Sequence, residues 1–182
     1  MRINRHILDN GLRLVHSKDE TTQMVALNVL YNVGARDEHP EHTGFAHLFE
    51  HLMFGGSENI PEYDTLLQLA GGENNAWTNN DITNYYLTVP HSLEIQRGGV
   101  MEEFKQRCLN QPYGDVGHII RPLAYRKHPY QWPTIGKELS HIAEATLAEV
   151  KDFFFKFYAP NNAVLAVTGN ISFEEAVALT EK

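Results

Sequence analysis

Apolar positions along this chain change period several times, and each change marks an element. Residues 24–33 read Met-Val-Ala-Leu-Asn-Val-Leu-Tyr-Asn-Val, an apolar, β-branched run that stops at Gly34 and predicts a central strand. Residues 2–8 and 12–16 flank Asn10-Gly11, a dipeptide that supplies the positive φ angles of a tight hairpin turn. Two further strands are predicted over 75–78 and 83–89, joined by a polar turn and closed by Pro90, and another over 163–168. Elsewhere the period lengthens. Phe45, Leu48, Leu52 and Met53 are spaced i, i+3, i+7, i+8, so they form one stripe of a helix with Thr43 as its N-cap and Gly55-Gly56 as its stop. A loop over 57–61 leads to a short helix over 63–70 that ends at Gly71-Gly72. A helix over 94–109 carries Met101, Phe104 and Cys108 on its buried stripe, and one over 146–158 turns Leu147, Val150, Phe153, Phe154 and Phe157 inward. Asn161-Asn162 breaks the latter, and Ser172 caps a last helix that starts at Phe173. Residues 35–42 read as a polar loop and 111–136 as a long loop rich in Pro and Tyr. No repeat, low-complexity tract or flexible linker interrupts this alternation of strands and helices.

Composition narrows the class without choosing a function. With 182 residues, 42% hydrophobic and 21% charged, the chain can bury one substantial core. A net charge of −8 and the lack of any basic run argue against nucleic acid, which is bound by clustered Lys and Arg. Cys108 is the only cysteine, so there is no internal disulfide framework and any metal must be held by His and carboxylates. The first residues lead into the hairpin without an apolar stretch long enough for a signal peptide or a membrane span. A cytoplasmic location, with no membrane partner, is the resulting expectation.

The densest chemistry is His47-Leu48-Phe49-Glu50-His51. On a helix, residues i and i+4 share a face, so both imidazoles can point at one ion while Glu50 reaches the ion's water. Glu precedes the second His, which is the inverted order H-x-x-E-H of zinc peptidases. A catalytic zinc takes three protein ligands and leaves a position for water, whose pKa falls to about 7 on binding. Glu50 is the candidate general base. Three fixed positions on a helix, with glycine before and Gly-Gly after, set this pattern apart from a chance pair of surface histidines. The third ligand must come from elsewhere, and the helix over 94–109 offers Glu102 and Glu103 about 100° apart around its axis. Spacing alone does not choose between them. Gly71-Gly72 and Gly55-Gly56 match neither the P-loop nor the dinucleotide fingerprint, so a nucleotide site is set aside.

The run Gly44-Phe45-Ala46-His47-Leu48-Phe49-Glu50-His51-Leu52-Met53-Phe54-Gly55-Gly56-Ser57 resembles the insulinase, or pitrilysin-type M16, metallopeptidase family. Gly34-Ala35-Arg36-Asp37-Glu38 before it and Asn75-Ala76-Trp77-Thr78 after it share the likeness, as do residues 96–104, 128–136, 159–163 and 167–171. The likeness covers nearly the whole chain. It implies an α+β fold with a mixed, mostly antiparallel sheet and helices packed on one face, as a single catalytic-type domain over 1–182. It also implies zinc (Zn2+) held by His47, His51 and Glu103, with Glu50 as general base. Glu103 is favoured because the family's ligand directly precedes an apolar residue, here Phe104. Asn75 and Ala76 match a segment on an edge strand beside the site, where an extended peptide substrate could add as one more strand.

Several departures accompany the likeness. The interval between His51 and Glu103 is short by roughly two dozen residues, as if a helical segment near 91–96 were absent. Gln96 stands where many relatives carry a carboxylate that supports the metal ligands, and Gly98-Gly99 is costly inside a helix, about 1 kcal/mol per Gly relative to Ala. Family members pair the catalytic half with a second, similar half, so a complementary half or a partner subunit is expected. Two functions follow: a zinc metalloendopeptidase that hydrolyses peptide bonds, or a truncated, non-catalytic subunit of the same fold that binds a peptide or partner protein without turnover.

Overall fold

The computed structural model describes residues 2–55, 67–68, 71–89 and 112–181. Among them six strands form one sheet: β1 (Asn4–Ile7), β2 (Arg13–Lys18), β3 (Val25–Tyr31), β4 (Glu73–Thr78), β5 (Thr83–Val89) and β6 (Ala163–Gly169), in the spatial order β1-β2-β6-β3-β5-β4. Only the β2–β6 pair is parallel, so the sheet is mixed and mostly antiparallel as expected. The helices are α1 (Phe45–Met53), α2 (Val116–Ala124), α3 (Ser140–Ala143), α4 (Leu147–Phe157) and α5 (Phe173–Thr180).

One face of the sheet carries the helices, which follows from the alternation of side chains along β3. Val25 and Leu27 pack with Leu14, Val167 and Ala176, the last on α5, while Tyr31 packs against Phe45 and Phe49 of α1 and Phe153 of α4. Those three β3 residues have the same parity and therefore point the same way. The opposite face is more polar, with Asn28 and Asn84 exchanging side-chain hydrogen bonds of 2.8 and 3.0 Å. Burying Leu14 and Val167 at the sheet centre contributes on the order of 2 kcal/mol each.

Several expectations hold and several are corrected. The Asn10-Gly11 turn forms with Gly11 at φ 86°, and Ser172 caps α5 by accepting the Glu175 N–H; the helix expected over 146–158 starts with Thr146 accepting the Glu149 N–H, a cap the sequence reading did not name. The central strand is shorter than 24–33, because Asn32 turns its N–H to the Asn162 carbonyl and Gly34 then lies against the turn at 79–81. A Cβ on Gly34 would fall 2.5 Å from the Asp81 nitrogen, so only glycine allows that approach. Residues 111–136 are not all loop. Val116, Ile119, Ile120 and Leu123 have helical spacing and lie on α2, which tolerates Pro122 near its end and leaves those apolar side chains exposed. Leu147 is exposed rather than inward, since it opens α4 before the helix meets the core. Thr43 is not the cap of α1; its N–H donates to His141 Nδ1 at 3.1 Å, its hydroxyl lies 2.8 Å from the same nitrogen, and its oxygen accepts from the Lys137 N–H. The loop at 57–61, most of the helix expected over 63–70, and the helix expected over 94–109 with Gln96, Gly98-Gly99, Glu102, Glu103 and Cys108 lie outside the described residues.

Candidate metal centre

The helix that carries the motif starts in an unusual way. Its N-cap is Gly44 at φ 92°, a left-handed angle that favours glycine, and a Cβ there would lie 2.8 Å from Ile142 Cδ1 and 3.1 Å from the Ile135 carbonyl oxygen. Close packing against residues 135–136 therefore excludes the side chains that cap helices best. Glu38 supplies the missing acceptors from the preceding loop: Gly44 N–H donates to its Oε2 and Ala46 N–H to its Oε1, both at 2.9 Å. The carboxyl group is buried, and burial pushes its pKa up to about 8 against the opposing effect of those two N–H donors and the Trp132 indole. Within the helix, Phe49 fixes the rotation by stacking on Phe153, with ring centroids 5.5 Å apart. The opposite face then presents His47, Glu50 and His51.

These three side chains converge. Their potential ligand atoms all lie within 4.8 Å of one another, and His47 Nε2 stands 3.3 Å from His51 Nε2. Two nitrogens bound at 2.0–2.1 Å to a tetrahedral zinc are separated by about 3.3 Å. The donor set thus fits zinc in spacing and type, and in the metal-free chain the same distance allows one N–H···N hydrogen bond. His47 is buried and the other two are partly exposed, so the group opens toward solvent on one side. That opening is a cavity of about 190 Å³ lined by His47, Glu50, Ala76, Trp77, Thr78, Thr134 and Ile135. Nearby, burial first and then the charges of Tyr158 and Glu50 hold the Tyr85 hydroxyl well above its ordinary pKa, and Tyr85 donates to the Phe49 carbonyl at 3.2 Å.

The structure brings His47, Glu50 and His51 to one point and places β4 beside them at the outer end of the sheet. Ala76 and Thr78 lie on the helix side of β4; Asn75 lies on the other face, with its Oδ1 accepting the Ala76 N–H at 2.8 Å. Glu103 and its neighbour Glu102 lie outside the described residues. Sequence reasoning gave no role to Glu38, Thr134 and Ile135, although they fall in segments that share the family likeness, because all three reach the site through packing between distant segments.

Fold and site together define a metallopeptidase-type arrangement: a His-x-x-Glu-His helix set against the edge of a mixed sheet. Residues 13–111 match the family model described as insulinase (peptidase family M16), and residues 144–182 match the model of the M16 peptidase inactive domain. The chain belongs to the insulinase, or M16, peptidase family. It is 32% identical to the zinc protease PqqE of Helicobacter pylori over 200 aligned positions, covering 96% of this chain and 45% of that protein. It is 27% identical to the uncharacterized zinc protease YmxG of Bacillus subtilis, covering 93% of this chain and 47% of that one. The crystal structure of a protease from Helicobacter pylori superposes with a TM-score of 0.88 at 31% identity, over 99% of this chain and 49% of the other. The chain therefore spans about half the length of these relatives. Its 96% share of 182 residues is about 175, so about 25 of the 200 aligned positions have no residue in this chain.

Proposed function

We propose that this chain is the catalytic half of a zinc-dependent metalloendopeptidase, with His47, His51 and Glu103 as metal ligands and Glu50 as general base. The observation that carries the reading is the 3.3 Å separation of the two Nε2 atoms, with Glu50 beside them at a cavity bordered by an edge strand. Zinc, when bound there, supplies Lewis acidity toward a carbonyl oxygen and toward water. Glu50 takes the proton of the attacking water and delivers it to the leaving amine. A peptide substrate lies along β4 as an added strand, its main chain taking over the Ala76 N–H that Asn75 now holds. Main-chain pairing of this kind recognises an extended peptide more than its sequence. The rest of the substrate chamber comes from a complementary half or a partner subunit, in keeping with relatives about twice as long.

A second reading keeps the fold and gives up turnover: a non-catalytic M16-like subunit that binds a peptide or partner protein. It is supported by the deficit of about 25 aligned positions, equal in size to the shortening ahead of Glu103. Metal content and turnover separate the two. About one zinc per chain, lost in His47→Ala, with peptide hydrolysis abolished by Glu50→Gln while zinc is retained, establishes the first reading. Absence of zinc at neutral pH, or turnover unchanged in Glu50→Gln, excludes it.

A further inference from the structure

We propose that Glu38 is a positioning residue for the helix that carries His47, Glu50 and His51: reaching from the loop ahead of α1, its carboxyl group replaces the cap that Gly44 cannot provide and sets where His47 stands relative to β4. Each carboxyl oxygen faces one main-chain N–H, from the N-cap Gly44 and from Ala46, and His47 is the next residue along that turn. Glu38 is only 6% exposed, so its side chain has little room to take another path.

The loop that presents Glu38 is itself tied to the edge of the sheet. Ala35 N–H donates to the Asn79 carbonyl at 3.1 Å and Arg36 N–H to the Asn80 carbonyl at 2.8 Å, both in the turn between β4 and β5. Arg36 Nη1 adds a 2.9 Å bond to Asp81 of the same turn. Trp132 closes the other side, donating its indole N–H to the Ala35 carbonyl at 2.8 Å, and the loop after it contributes Thr134 and Ile135 to the cavity wall. A path of hydrogen bonds and chain therefore runs from the β4–β5 turn through residues 35–38 and the Glu38 side chain into the first turn of α1. Glu38 is the link that joins the strand where a peptide would lie to the helix where a metal would sit. The consequence for metal binding rests on the metallopeptidase reading above; the link itself does not.

Glu38→Gln tests this, because it keeps the shape but sets an NH2 donor against one of the two N–H groups. Zinc affinity is measured by competition with a chelating dye, and amide exchange of Gly44 and Ala46 by NMR on the metal-free chain. Thr146→Ala, which removes the cap of α4 away from the metal, serves as the control for a general loss of stability. The expected result is zinc binding weakened by about tenfold or more and faster exchange at Gly44 or Ala46 in Glu38→Gln, with zinc affinity unchanged in Thr146→Ala. Wild-type affinity and wild-type exchange in Glu38→Gln overturn the proposal, as does an equal loss of affinity in Thr146→Ala. If the wild-type chain takes up no zinc, the metalloenzyme reading fails and the exchange rates alone decide the role of Glu38. Should Glu38→Gln fail to fold, Glu38→Asp, with the charge on a stem one carbon shorter, is read in the same way.

Discussion

Helices α1 and α4 pack against each other through Phe49 and Phe153, yet they are built on opposite plans. α4 is self-contained: Thr146 accepts the Glu149 N–H, the Glu149 side chain accepts the Thr146 N–H, and the apolar stripe follows directly. α1 has no local cap, begins on a left-handed glycine, and takes its first hydrogen bonds from a buried carboxylate six residues upstream of that glycine. A helix that only needs to pack can carry its own start signals. A helix that must hold two imidazoles and a carboxylate at set positions is held instead by the segments around it, and so its geometry is decided by the whole fold.

Four changes break or sharpen that contrast, in descending order of effect. Phe49→Ala removes the shared aromatic contact, where Phe49 lies near the rings of Phe153, Phe154 and Tyr158, and is expected to cost about 3–5 kcal/mol in urea unfolding. Gly44→Ala forces a Cβ into Ile142 at a left-handed φ and is expected to cost about 3 kcal/mol in urea unfolding. The third test is pH. The folded pKa of Glu38 lies at about 8, above the ordinary 4.5, so its stabilising contribution is complete below about pH 4.5 and is lost as pH rises through about 8. Unfolding free energy is therefore expected to fall by up to a few kcal/mol between pH 5 and 8.5, and Glu38→Gln to flatten that slope; an unchanged slope would remove the buried charge from the account. Thr146→Ala is expected to cost about 1 kcal/mol, with α1 and its imidazoles unaffected.

The two plans also explain what could be read in advance. The Thr146 start of α4, the Asn10-Gly11 turn and the Ser172 cap are local, so residue type and spacing disclosed them. Thr43 misled because a threonine next to a helix start satisfies the capping rule, while its hydroxyl is in fact committed to His141 and Lys137, about 95 residues away. The loop expected over 111–136 hid α2 because Pro122 and the tyrosines outweighed the spacing of Val116, Ile119, Ile120 and Leu123. Leu147 was read as inward because it continues the spacing of Val150, Phe153, Phe154 and Phe157, although it precedes the point where α4 reaches the core.

By itself the sequence determined the chemistry that can occur: the i, i+4 histidines with their intervening glutamate, the membership of a peptidase family, and the alternating strands that make an edge. Those features depend on short-range periodicity, which the covalent chain carries directly. Tertiary structure alone decided that the imidazoles stand 3.3 Å apart beside β4, that Ile135 and Thr134 wall the cavity, and that Glu38 accepts the first N–H groups of the helix that carries them. Each of these joins segments distant in sequence, and a buried carboxylate facing main-chain donors has no pattern of its own until the fold brings them together.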